Sequence, residues 1–321
     1  MNDIAEILRT EDEFLVVSHI NPDGDAVGSL LGMYAALKEM GKSVSALAGA
    51  PIPDTYGFLP GFADVRTDPA TITRLPRWIV AVDTAEENRI AGDLGPFREH
   101  AVIVNIDHHR TNPGFGRYNL VEPLASSTAE VIFRLLRYAG FKLSAEVGKC
   151  LYTGLITDTG AFRYSSVTGE TLRLGADLLD LGFSSYDVTR HLYDEYPIGR
   201  LHMERLMLER MRVLLDGRLV VSVIYDEDFE RVGAQRSDTE NLVDFLRAVR
   251  GVEAAALITG VSENTRRVSL RSKSLVDVAQ VAEIMGGGGH RRSSGARTSL
   301  SVEEIVKTIE DAVGSRFAGS S

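Results

Sequence analysis

The sequence predicts an α/β protein of two domains joined by a helical segment. Three observations carry that prediction. Short runs of β-formers alternate with helical patterns through the first half, the rhythm of a mostly parallel sheet flanked by helices. From about Thr168 to Leu215 the pattern is nearly all helical, and a new strand-and-helix composition begins near Gly217. The 321 residues, 44% of them hydrophobic, suffice for two cores. The expected layout is a first domain over 1–187, a helical linker over 188–214 and a smaller α/β domain over 215–321.

Taken in order, 14–19 reads as a buried strand and 26–40 as a helix, with Gly41 as its C′ stop. Further strands are expected at 42–47, 78–82 and 101–106. Ser127 and Glu130 have capping-box spacing ahead of the apolar stretch from Val131. In the second half, strands are expected at 219–224, 254–258 and 268–271, and helices at 241–249 and 277–285. The last of these runs into four glycines, 286–289. Asp226 and Asp228 are expected in a loop without metal, and Arg266 and Arg267 on a turn.

The net charge of −10 argues against wrapping long nucleic acid on a broad basic surface, though not against a small anion held by local cations. A single cysteine, Cys150, excludes an intrachain disulfide framework and a cysteine-rich zinc site. No run reaches the roughly 18 apolar residues of a membrane helix. The N-terminus carries acidic residues where a signal peptide would be basic. A soluble cytoplasmic protein without a membrane partner is therefore expected.

Chemistry collects where expected strands or helices end, the edge at which open α/β sheets bind ligands. His19-Ile20-Asn21-Pro22-Asp23-Gly24-Asp25 joins a strand to a helix; an Asx turn and helix cap is its structural alternative. Asp83 ends an apolar run and could simply cap the next helix. Asn105-Ile106-Asp107-His108-His109 places three metal-binding or proton-carrying side chains at another strand end, or forms a polar loop. Asp158 closes a helical stretch before Gly160, where the partial negative charge of a helix C-terminus disfavours a carboxylate unless a cation is near. Carboxylates and imidazoles without thiolate suit Mn²⁺, Fe²⁺, Co²⁺ or Zn²⁺ better than Mg²⁺. Their number suits two ions bridged by one carboxylate, a common device for phosphoester hydrolysis.

As an ordered set, His19-x₃-Asp23-x-Asp25, Asp83, Asp107-His108-His109 and Asp158 resemble the DHH phosphoesterase superfamily. Gly286-Gly287-Gly288-Gly289-His290, preceded by Val268-Ser269-Leu270-Arg271-Ser272, is similar to its DHH-associated domain. Size and layout look like the NrnA-type branch of oligoribonucleases and pAp phosphatases. The resemblance implies two divalent cations, most simply Mn²⁺: one on His19, Asp23 and Asp83, the other on Asp25, Asp83, His108 and Asp158. It implies that Asp107 orients its neighbours and that His109 stands at the scissile phosphate. It places Arg271, Ser272, Gly287, Gly288, Gly289 and His290 on the substrate, with Arg89 where relatives carry an arginine. The implied substrates are short RNA oligonucleotides and pAp, and the implied assembly a homodimer. The alternatives are a pApA or cyclic-di-AMP phosphodiesterase, a manganese pyrophosphatase, and a non-catalytic nucleotide-binding module. The glycine-rich His290 segment argues against the pyrophosphatase, and the intact carboxylates argue against the non-catalytic module.

Overall fold

A computed structural model describes residues 1–262 and 265–317 and divides the chain into two compact units, Met1–Glu195 and Tyr196–Ser321. Residues 318–321, the end of the expected 215–321 domain, lie outside the described residues. The segment expected as a linker is shared: its start belongs to the first unit, and its main helix buries Met203, Leu206 and Met207 in the second.

The first unit runs α1 (Asn2–Thr10), β1 (Phe14–Val17), α2 (Gly24–Glu39), β2 (Val44–Leu47), β3 (Trp78–Val82), α3 (Gly95–Arg98), β4 (Val102–Asp107), β5 (Tyr118–Val121), α4 (Thr128–Tyr138), α5 (Ala145–Asp158), α6 (Gly169–Leu179) and α7 (Ser185–Thr189). Its five strands are all parallel, in the order β2-β1-β3-β4-β5. Alternate residues of β1 enter opposite cores. Phe14 and Val16 pack with α2 and α4 residues, while Leu15 and Val17 join Ile79, Ala81 and Phe97 on the other face. A sheet covered on both faces needs uninterrupted apolar strands, which is why these strands are readable in the sequence. The order reverses between β1 and β3, and a crevice for ligands opens at the carboxyl ends of strands beside such a switch point.

Helices α2 and α5 pack closely along a glycine stripe. A Cβ on Gly28 would lie 2.6 Å from the Cys150 carbonyl oxygen and 2.6 Å from the Gly154 nitrogen. A Cβ on Gly32 would lie 2.5 Å from the Leu151 side chain. The stripe bears on function because α2 begins at Asp23 and Asp25, and α5 ends at Asp158.

The second unit runs α8 (Ile198–Glu209), β6 (Arg212–Leu214), β7 (Leu219–Ile224), α9 (Asp226–Val232), α10 (Leu242–Ala248), β8 (Ala254–Ser262), β9 (Thr265–Ser272), α11 (Val278–Glu283), β10 (Gly288–His290), β11 (Ser293–Thr298) and α12 (Val302–Gly314). Its six-stranded sheet has the order β10-β11-β9-β8-β7-β6, with only β7 and β8 parallel. The expected fold class is borne out in both units. Two local expectations are corrected. Asp226 and Asp228 start α9 rather than a loop, because the Asp228 carboxylate accepts the Tyr225 N–H and pairs with Arg210. Arg266 and Arg267 lie within β9, paired with Thr298 and Arg297 of β11, rather than on a turn.

Glu253 supplies a pH-dependent clasp in this unit. Its carboxylate accepts the N–H groups of Ser274, Leu275 and Val276 and the Ser274 hydroxyl. Burial pushes its pKa up, but these donors favour the anion more strongly and hold it below the ordinary value of 4.5. A folded-state pKa below the unfolded one adds stability that is complete above the unfolded value and lost as pH falls through the folded one. Glu253→Gln is therefore expected to cost about 1–3 kcal/mol at neutral pH. In urea unfolding, the gap from wild type should close as pH drops below 4.5. A gap independent of pH would contradict this reading.

Candidate active site

The residues expected to carry chemistry in the first unit converge at the switch point. The turn after β1 brings His19, Asp23 and Asp25; Asp83 directly follows β3; β4 ends at Asp107, followed by His108 and His109; α5 ends at Asp158. Asp83 is the hub. Ligating atoms of His19, Asp23 and Asp83 lie within 4.8 Å of one another, as do those of Asp25, Asp83 and His108, and those of Asp83, Asp107 and His109. His108 Nε2 stands 3.3 Å from Asp158, 3.8 Å from Asp83 and 3.9 Å from Asp25. His19 Nε2 stands 3.7 Å from Asp83.

The backbone is strained where it matters. Asp83 has φ 51° and Asn21 φ 53°, a left-handed conformation that aspartate and asparagine tolerate better than most residues. Such outliers persist where surrounding structure enforces them, commonly at functional sites. Asp23 does cap α2, accepting the Ala26 N–H at 3.1 Å, while staying exposed. The cap alternative and the ligand reading are thus compatible.

The imidazoles are aimed by their second nitrogens. His19 Nδ1 is 2.7 Å from the Ile20 carbonyl, and His108 Nδ1 is 3.2 Å from the Ala125 carbonyl. A carbonyl can only accept, so Nδ1 carries the proton and Nε2 is turned toward the carboxylates. This is the usual support of a metal-binding histidine. His109 differs: its Nδ1 donates to Asp107 Oδ1 at 2.7 Å, and Asn112 donates to the other Asp107 oxygen at 2.6 Å.

Crowding of buried charge gives the cluster its electrostatics. Burial, then the charges of Asp83 and Asp158, hold Asp25 well above the usual carboxylate range. Burial pushes Asp158 up to about 6, with His108 pulling the other way. Burial opposes the charge on His19 and His108 as well, yet the surrounding aspartates carry both up to about 9. Asp83 is held far below its ordinary value despite burial, because imidazoles surround it. The oxygen and nitrogen donors of this group fit divalent ions.

Sequence reasoning missed Thr128. Its hydroxyl donates to Asp83 Oδ1 at 2.8 Å and its N–H to Asp25 Oδ2 at 2.6 Å. The Ser127–Glu130 capping box forms in part. Ser127 Oγ accepts the Glu130 N–H, but the Glu130 carboxylate turns to Ser126 instead.

Arg89 is exposed on a short 3₁₀ turn, and its carbonyl accepts the Ile20 N–H at 2.8 Å. In the second unit, Arg271 lies on β9, with Nε 3.5 Å from Asp244 Oδ2. Ser272 is buried, and its hydroxyl donates to the Val276 carbonyl at 2.7 Å. Gly287 approaches the Gly295–Ala296 backbone so closely that a Cβ would lie 2.1 Å from the Gly295 oxygen. Gly289 presses on Ser293 and Ser294, whereas Gly288 is exposed with open space around it. Part of the glycine run is thus required by packing of β10 on β11. His290 ends β10, half-buried.

Residues 13–155 match the model of the DHH family, N-terminal domain, and residues 216–315 match that of the DHHA1 domain. A Thermus thermophilus protein named bifunctional oligoribonuclease and PAP phosphatase NrnA is 33% identical over 97% of this chain and 92% of its own length. The chain belongs to the DHH family. A Bacillus subtilis DHH relative of the same name is 28% identical over 96% of both chains. The crystal structure of an exopolyphosphatase-related protein from Bacteroides fragilis superposes with a TM-score of 0.89 at 28% identity, covering 98% of this chain and 95% of that one. No helix among the described residues of this DHH chain is long and apolar enough to cross a membrane.

Proposed function

We propose that this chain is a divalent-metal phosphohydrolase that degrades short oligoribonucleotides to mononucleotides and removes the 3′-phosphate of pAp. The observation that carries the reading is the convergence of carboxylates and imidazoles on Asp83, in a family member whose relatives at 33% and 28% identity bear that activity in their names. His19, Asp23 and Asp83 would hold one ion; Asp25, Asp83, His108 and Asp158 would hold the other, with Asp83 shared. Mn²⁺ is the proposed metal. When bound, such a pair lowers the pKa of water and offsets charge developing on the phosphoryl oxygens.

The chain's own residues supply the rest. Asp107, fixed by Asn112, holds His109 by Nδ1. Burial works against a proton on His109, but Asp107 and Asp83 raise its pKa above the ordinary 6.5, which suits it to protonate the leaving oxygen. Arg89, Arg271, Gly288 and His290 would contact the nucleotide, Gly287 and Gly289 shaping that surface through their backbone. Ser272 belongs to the same proposed substrate surface, its hydroxyl donating to the Val276 carbonyl. The proposal also includes a homodimer and a cytoplasmic location; the net charge of −10 supports the further expectation of no long nucleic acid as partner.

Two experiments test this reading. Chelation should abolish hydrolysis of pAp and short RNA, and Mn²⁺ should restore it; turnover that survives thorough chelation overturns the metal assignment. Arg271→Ala should raise KM about 10-fold or more, the loss of a charge-assisted contact, with kcat retained. A pure kcat loss would move Arg271 from substrate binding to the transition state.

A further inference from the structure

One short segment touches three of the proposed ligands. The Ala125 carbonyl faces His108 Nδ1 at 3.2 Å. The N–H groups of Thr128 and Ala129, the first two residues of α4, donate to the two Asp25 oxygens at 2.6 and 3.0 Å. The Thr128 hydroxyl donates to Asp83 Oδ1 at 2.8 Å. Asp83 Oδ1 also lies nearest His108 and His109, while Oδ2 faces His19.

The segment is itself locked. Glu130, 4% exposed, accepts the Ser126 N–H at 2.9 Å and the Ser126 hydroxyl at 2.6 Å. Ser127 accepts the Glu130 N–H at 3.1 Å. Ser127 and Thr128 are fully buried. The N-terminal end of α4 also carries the partial positive charge that favours an anion there. It meets the buried carboxylate of Asp25.

We infer that residues 125–130 form a brace that orients Asp25, Asp83 and His108 together, with Thr128 as the positioning residue that fixes Asp83. The inference rests on the metal reading above and adds what holds the ligands in place. A hydroxyl donating to one oxygen of a bridging carboxylate removes a rotational freedom that would otherwise be lost on binding, and supporting contacts of this kind typically change metal affinity about 10–100-fold.

The test is Mn²⁺ titration of the purified full chain by calorimetry, with thermal melting in parallel. Thr128→Val keeps the shape and deletes the donor; Thr128→Ser keeps the donor. The expected result is Mn²⁺ binding weakened about 10–100-fold in Thr128→Val and close to wild type in Thr128→Ser. Ser126→Ala loosens the brace through Glu130 without touching a carboxylate of the site, and should weaken binding in the same direction. It decides the matter if Thr128→Val does not fold. Lower melting temperatures with unchanged Mn²⁺ affinity would overturn the inference, since a merely structural role predicts that pattern. A wild-type chain that binds no divalent ion would overturn it differently, by removing the reading on which it rests.

Discussion

Asp83→Asn is expected to reduce turnover of every phosphoester substrate by about 10³-fold or more, the rate equivalent of several kcal/mol of lost charge stabilisation. Among the described residues, no other side chain belongs to all three of the ligating groups centred here. The left-handed backbone at φ 51° makes the choice of variant important. Asparagine tolerates that conformation and can still accept the Thr128 hydroxyl through its carbonyl oxygen. Asp83→Ala would add backbone strain to the loss of charge. A folded Asp83→Asn protein with wild-type turnover would remove Asp83 from the centre of the site. Loss of activity with an unchanged melting profile would leave it there.

Gly28→Ala is expected to lower stability by about 2–3 kcal/mol, because the added methyl meets main-chain atoms that cannot rotate away. Separation of α2 from α5 would also move Asp25 away from Asp158, so activity measured on the folded fraction should fall as well. Gly288→Ala makes a useful contrast, since nothing lies within 4 Å of its Cβ position. It should be neutral in urea unfolding. A Gly28→Ala protein as stable as the Gly288→Ala protein would mean that the α2–α5 contact tolerates expansion and does not set the spacing of the two carboxylates.

Much of the first unit is legible in the amino-acid sequence alone. Strand 78–82 matches at both ends, and strands 14–19 and 101–106 differ only at their ends, because a doubly covered parallel sheet demands continuous apolar runs. The chemistry-bearing residues are legible because they sit at the ends of those runs. Other features carry no local signal. The α1 helix is not anticipated by the sequence pattern. Its apolar stripe of Ile4, Ala5, Ile7 and Leu8 is short and broken by charge, and burial against the first core stabilises it. The brace at 125–130 is hidden because two of its donors are main-chain N–H groups, which nearly every residue possesses. Thr128 and Asp83 are 45 positions apart, so only the fold shows that they meet. The run 286–289 suggests a close approach to ligand, but Gly287 and Gly289 first answer to β11. Asp228 looks like a loop residue because its partner Arg210 lies 18 positions earlier.

The cluster around Asp83 is proposed to hydrolyse short nucleotides. The most direct test is a hydrolysis panel with the purified, Mn²⁺-loaded chain: pAp, short RNAs, pApA, cyclic-di-AMP, a long RNA and pyrophosphate. The expected result is that pAp and the short RNAs are cleaved fastest, with the long RNA and pyrophosphate far behind. Preference for pyrophosphate or for cyclic-di-AMP alone, or metal binding without turnover of any compound, would contradict it.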